Sequence, residues 1–350
     1  MSGTPDALQP MTVGPLISNQ IQLSPHYGLI SAYFNRGILA TQATAHKLED
    51  GSQTGTLADR LQGHIENLDD PLRKDLAGEM IEALTTLSDE AAQDGADVYC
   101  ALYEFEDQEA IQHLAALRTH ANLILSNMPG QASDGSKTND TYAAERQQIR
   151  GAGAKVIDRF MPSGHIGHNK FQVLVKDTPQ AVLFGSTNWT SHGLCAQTNN
   201  SIIARSPKMA AAYKDYWDRL KADTDPPGAG GKAQQGSELR DADAEPLPTI
   251  QLEDDSGAVD LWFSPNTPHA RSKSKTKQEA TPPDLEEVFD IISKAQQAIV
   301  FLAFQPGSPS IVDAIAAAQK ANPALFVRGA VTAPDAAGKF FTAIHGGGET

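Results

Sequence analysis

The sequence predicts an α/β protein built on a mixed sheet flanked by helices, with a complete first lobe and an incomplete second one. Three observations carry this. Short apolar runs alternate with helical stripes from Asp97 to Leu220. Two of those runs, Phe171–Val175 and Ala181–Phe184, are separated only by Lys176 and a turn around Asp177-Thr178-Pro179-Gln180, which folds the second back on the first. After a polar stretch, a strand-helix-strand order restarts near Ala258 and parallels the order over Asp97–Asn127, so an internal repeat of weak identity is expected.

Residues 1–70 read as a lightly structured N-terminal extension with scattered Gly and Pro. Asp70-Pro71 is a helix cap and first turn, and Leu72, Leu76, Met80, Ala83, Leu84 and Leu87 continue it as one helical stripe. Val98–Phe105 reads as a strand, Gln108–Thr119 as a helix and Asn122–Ser126 as a strand. Pro129–Asn139 is a polar loop, and Ala143–Gly151 and Lys155–Phe160 add a helix and a strand. The strand Asn200–Ala204 and a helix over Met209–Leu220, bearing Tyr213, Tyr216 and Trp217, close the first lobe, which spans residues 71–222. Residues 223–257 shift to Pro, Gly, Ala, Gln and acids and read as a linker with too little apolar surface for a core. Residues 258–350 form the partial second lobe: strands at Ala258–Phe263, Ile299–Phe304 and Leu325–Val331, a stripe of Leu285, Val288, Phe289 and Ile292, and a helix over Ile311–Lys320.

Composition limits function. Lys and Arg total 28 against 43 Asp and Glu, a net charge of −15, so broad nonspecific binding to nucleic acid or to anionic membranes is disfavoured. A local basic cleft remains compatible with that balance. Cys100, expected in a strand, and Cys195, expected in a loop, make neither a disulfide framework nor a metal spacing. No window approaches a membrane span and the start lacks a leader pattern, so a cytoplasmic protein without stable membrane insertion is expected.

The chemistry concentrates in His168-Asn169-Lys170-Phe171 and Gly185-Ser186-Thr187-Asn188-Trp189. Side chains in a strand repeat with period two, so His168 and Lys170 project from one face, and the hairpin brings Gly185–Asn188 beside them. An imidazole serves as nucleophile or proton carrier, Lys supplies positive charge, and Ser and Asn supply donors to phosphate oxygens. Such a set suits attack on a phosphodiester without a metal or other cofactor, and no His-Glu-x-x-His, paired Cys or Asp cluster is present.

These residues resemble the signature of the phospholipase D superfamily, a His-x-Lys pair, a downstream Asp, and Gly-Ser-x-Asn. The resemblance covers residues 97–222 and, more faintly, the later stretch. It implies a phospholipase D-like sheet and a phosphohistidine mechanism, with His168 as nucleophile or its acid/base partner. It further implies that Lys170 and Asn188 bind phosphate oxygens, and that Ser186, after Gly185, orients the set. The family Asp falls seven residues after the His, where this chain has Val175; Asp177, two residues later, is carried over as a supporting acid. Phospholipid or another small phosphodiester ranks above DNA as substrate because of the charge; a nuclease and a noncatalytic binding or assembly module are the alternatives.

His165-Ile166-Gly167-His168 also spells a signature of class I aminoacyl-tRNA synthetases, with Lys273-Ser274-Lys275-Thr276-Lys277 as their basic loop. That signature should open a helix, whereas His168 runs straight into alternating Phe171, Val173 and Val175. Arg271, Lys273, Lys275 and Lys277 read instead as a solvated loop or one reaching toward substrate phosphate. No second His-x-Lys occurs, and neither His269 nor His345 sits in such a motif. The expectation is therefore that His168 faces an open side of its site. A homodimer partner or a missing C-terminal half would then supply the second motif, or full activity is lost.

Overall fold

The computed structural model describes residues 28–37, 48, 55–127, 130–131, 137–138, 140–162, 165–225, 230–269, 281–304, 306–307 and 310–332. His345, the Arg271–Lys277 cluster and most of the Pro129–Asn139 loop lie outside them. The chain divides into two units, residues 1–233 with 251–258, and residues 234–250 with 259–350.

In the first unit β1 (Ile30–Phe34) is followed by the helices α1 (Leu57–Glu66), α2 (Pro71–Ala77) and α3 (Met80–Asp94). Then come β2 (Asp97–Leu102), α4 (Gln108–Ala116), β3 (Ala121–Ser126), α5 (Ala143–Gly151) and β4 (Lys155–Arg159). The hairpin β5 (Lys170–Lys176) and β6 (Thr178–Gly185) leads through α6 (Ser191–Cys195) to β7 (Asn200–Ala204) and α7 (Pro207–Ala222). The strands form one seven-stranded sheet in the order β1-β7-β6-β5-β2-β3-β4. It is mixed: β2, β3 and β4 run parallel to one another, and β5 runs antiparallel to both β2 and β6.

Alternation along β5 assigns its two faces. Phe171 meets Tyr213 and Tyr216 of α7, while Gln172 and Leu174 turn to the other side, where the Gln172 amide donates to Ser88 Oγ of α3 at 2.6 Å. Helices thus cover both faces, with Met80, Leu84, Leu87, Ile111, Leu114 and Leu123 in the main core. Burying such side chains contributes about 1.5–3 kcal/mol each.

The expected single helix after Asp70 is two. Gly78 takes a positive φ of 55° and ends α2, its N–H returning to Lys74 O at 3.1 Å, and Met80 begins α3. The apolar stripe survives the break because Leu76, Met80, Ala83, Leu84 and Leu87 are all buried. The expected irregular extension contributes β1, which pairs antiparallel with β7 as the sheet's edge, and α1, which carries a Thr56–Asp59 capping box. Its edge position leaves β1 only part-buried, which is why the apolar signal there is weak. Cys195, expected in a loop, sits in the short helix α6, capped by Thr190; both cysteines are buried and free.

Within the stretch read as a linker, Asp223 and Thr224 are held by ionic and polar rather than apolar contacts. Arg159 donates to Asp223 Oδ2 at 2.7 Å and to Thr224 Oγ1 at 2.8 Å. Further on, α8 (Ser237–Asp243) buries Leu239 and Arg240. In the second unit α9 (Pro283–Ser293) precedes β8 (Ala298–Ala303), α10 (Ile311–Ala321) and β9 (Phe326–Val331). β8 and β9 are parallel, so the strand-helix-parallel strand order of β2, α4 and β3 recurs here around Ile315, Leu325 and Val327.

Candidate active site

Strand direction gathers the site. Because β5 is antiparallel to β6 and β2, with Phe171 opposite Phe184 and Lys170 opposite Leu102, the start of β5 meets the ends of both neighbours. His168 and Lys170, Tyr103 and Glu104, and Gly185 to Asn188 therefore share one edge of the sheet. Asp177 does not join them. It occupies the exposed turn after β5, at a φ of 59°. With a rise of about 3.3 Å per residue, β5 places it roughly 20 Å from the His168 end.

Backbone hydrogen bonds tie the three segments together. Tyr103 N donates to Asn169 O at 2.9 Å and Trp189 N to Glu104 O at 3.3 Å, while Glu106 N and Asp107 N both donate to Trp189 O at 2.9 Å. The Asn169 amide donates to Tyr216 Oη at 2.9 Å, anchoring the residue between His168 and Lys170 to α7. Gly185 is required here: a Cβ would lie 2.3 Å from Asn200 O and 2.7 Å from Ser201 Cα, backbone that cannot retreat within the sheet. Ser186 Oγ donates to Asn199 Oδ1 at 3.0 Å and accepts from Asn200 N at 3.0 Å, which fastens the loop to β7. Its hydroxyl thus orients the loop that carries Asn188.

Sequence reading missed two residues that complete this frame. Asn35, just after β1, donates to Gly193 O, Leu194 O and Gln197 O at 3.0, 2.9 and 2.7 Å and accepts from Asn199 N at 2.9 Å. Arg73, 2% exposed, bonds Ile65 O at 2.8 Å and the Asp107 carboxylate at 2.9 Å, steadying the cap of α4 directly after Glu106. Neither sits in a motif or an apolar stripe, so no periodic signal marks them.

The Tyr103 ring packs against both cationic candidates. His168 meets it edge-on with centroids 5.1 Å apart, and Lys170 Nζ lies 5.5 Å from its centroid while donating to His168 O at 3.3 Å. Partial burial, with the Lys170 charge adding to it, pulls the His168 imidazole down from 6.5 to about 4, although the residue keeps one side open to solvent. Burial also lowers the Lys170 ammonium to about 8, against the opposing pull of Glu104. Near neutral pH the imidazole is thus free of its proton and the ammonium largely keeps its own. Asn188 is buried and its Oδ1 has no hydrogen-bond partner.

Two further carboxyls line this edge. Burial raises Glu104 above its ordinary range, opposed by Lys170, His192 and the Asn188 amide. Burial likewise raises Glu106, which accepts from Ser191 Oγ at 3.3 Å. Tyr142 lies near enough to Glu104 and Glu106 that burial and both carboxylates push its phenol up. Glu104 sits between Tyr103 and Phe105 in a run read as plain strand, but β2 ends at Leu102, and Glu104 is placed by the segment just beyond it, where its carbonyl accepts from Trp189 N. Among the described residues no group of three or more His, Cys, Asp or Glu is placed to hold a metal ion. No helix among them is long and apolar enough to cross a membrane.

No protein-family model and no curated protein sequence matches the chain. Among solved structures, it is similar to a polyphosphate kinase from Porphyromonas gingivalis at 11% identity and a TM-score of 0.42, covering 73% of this chain and 37% of that one. The chain thus spans well under half of that kinase's length. It is also similar to Nuc from Salmonella typhimurium, described as a phospholipase D family member, at 18% identity and a TM-score of 0.30 over 40% of this chain and 84% of that one. NucT from Helicobacter pylori matches at 14% identity and a TM-score of 0.31, over 41% and 90% of the respective chains.

Proposed function

We propose that this protein is a metal-independent phosphodiesterase that works through a phosphohistidine on His168. The observation that carries the reading is that strand pairing brings His168, the buried Lys170 and the buried Asn188 to the same end of the sheet, with Lys170 Nζ donating to His168 O. His168 attacks phosphorus with its free nitrogen lone pair and expels an alkoxide. Lys170 and Asn188 donate to the non-bridging oxygens, whose charge grows in the transition state, and a low-dielectric site strengthens both interactions. Water then cleaves the phosphorus–nitrogen bond, or an alcohol accepts the group in a transfer reaction. Lys170 cannot replace the imidazole as nucleophile without giving up the charge the oxygens need.

The substrate we favour is a phospholipid or another small phosphodiester. A net charge of −15 and the Glu104 and Glu106 carboxyls beside the site disfavour a long polyanion. The test is hydrolysis of an aryl phosphodiester in the presence of chelator by wild type and His168→Ala, with single-stranded DNA run in parallel. We expect turnover of the small ester by wild type and a loss of several orders of magnitude in the folded variant. Near wild-type turnover by His168→Ala would end the assignment, cleavage of DNA in preference to the ester would make it a nuclease, and complete inactivity of the wild type would favour a binding module.

A further inference from the structure

We infer that Glu104 is the acid/base residue of this site, donating the proton to the leaving oxygen and then taking one from the attacking water. The inference rests on the phosphodiesterase reading above. It answers a need that reading leaves open, since an alkoxide leaves slowly unless it is protonated, and the sequence has one His-x-Lys alone.

Geometry singles out Glu104. Its carbonyl accepts from Trp189 N on the Asn188 side, and the preceding residue is held on the His168 side by the Tyr103 N to Asn169 O bond. Its carboxyl is a neighbour of Lys170 on β5, of Asn188 on the loop after β6, of His192 on α6 and of Tyr142 before α5, with Tyr103 preceding it in the chain. It is therefore the carboxyl bordered by both proposed phosphate-binding groups. Glu106, two residues on, shares His192 and Tyr142 with it but otherwise neighbours Ser191, Glu66 and Glu145 in place of Lys170 and Asn188. Desolvation favours the protonated form of Glu104, while Lys170, His192 and Asn188 favour the carboxylate, so the group exchanges its proton at a pH nearer neutrality than an ordinary glutamate does.

The steps balance. The His168 nitrogen bonds phosphorus as the ester phosphorus–oxygen bond breaks, and the Glu104 proton passes to the departing oxygen, which leaves as the alcohol. Glu104, now a carboxylate, accepts a proton from water as the water oxygen bonds phosphorus and the phosphorus–nitrogen bond breaks. His168 returns neutral and Glu104 returns protonated.

The experiment compares two substrates that share one phosphoryl group, an alkyl ester whose alkoxide needs a proton and a nitrophenyl ester whose phenolate does not. Wild type, Glu104→Gln, Glu106→Gln and His168→Ala are assayed from acid to alkaline pH. We expect Glu104→Gln to lose about 10²–10⁴ in kcat on the alkyl ester and far less on the nitrophenyl ester. The alkyl ester should also show an alkaline limb at lower pH than the nitrophenyl ester does, and Glu104→Gln should abolish that limb. Equal losses on both esters, no loss on either, or the differential appearing in Glu106→Gln alone would overturn the assignment while a dead His168→Ala left the parent reading standing. A wild type inactive on both esters would overturn the two together.

Discussion

His168 is a weak base in this fold because protein encloses part of its ring and the Lys170 ammonium lies nearby. Lys170 is a weaker base than usual because it is buried. The signs give opposite limbs. As a nucleophile His168 must be deprotonated, so activity rises with pH through about 4, rather than through the ordinary 6.5. Lys170 must be charged, so activity falls as pH climbs through about 8, rather than 10.5. On an aryl ester, where leaving-group protonation is dispensable, kcat/KM should therefore form a bell between these limbs. An acid limb near 6.5 would show an unperturbed imidazole. At this scale motif spacing makes His168, Lys170, Gly185, Ser186 and Asn188 candidates, and strand direction brings them to one end of the sheet. Glu104 carries no such signal, because a glutamate in an apolar run gains meaning only from the segments folded beside it.

Strands and loops fix the precision of the site. Asn35 reaches from the end of β1 to the C-terminal end of α6 and to Asn199, the residue that holds Ser186. Asn35→Ala leaves the buried Asn199 N–H and the Leu194 and Gln197 carbonyls short of partners, whereas Gly193 O keeps the Asn199 amide at 2.8 Å, and each buried unsatisfied group costs about 1–3 kcal/mol. A loss of unfolding free energy of at least that size in urea titration, with kcat falling more than KM rises, is expected; unchanged stability would remove Asn35 from the frame. The sheet's central strands were readable from alternation, since Phe171 and Val173 pack toward one layer and Leu174 toward the other. Two features were not. Gly78 looks like any helical glycine until its positive φ breaks the helix while the stripe continues, and β1 is too short and too exposed to announce itself outside the sheet it borders.

At the scale of the molecule, the chain is acidic, with a net charge of −15. The ionic contacts of Arg73, Arg146 and Arg159 bind them to carboxylates, whereas Lys170 is buried beside the proposed reaction centre. Because Lys170 and Asn188 supply the transition-state donors in this account, activity should survive prolonged EDTA treatment; inactivation reversed by a divalent ion would indicate a metal mechanism instead. The most direct test of the central claim is to trap the covalent intermediate. Wild-type protein mixed with a phosphoryl-labelled aryl diester and quenched in alkaline denaturant should carry an acid-labile, base-stable label on the peptide that contains His168, and His168→Ala should carry none. Rapid turnover with no label on that peptide, or label that persists in His168→Ala, would contradict it.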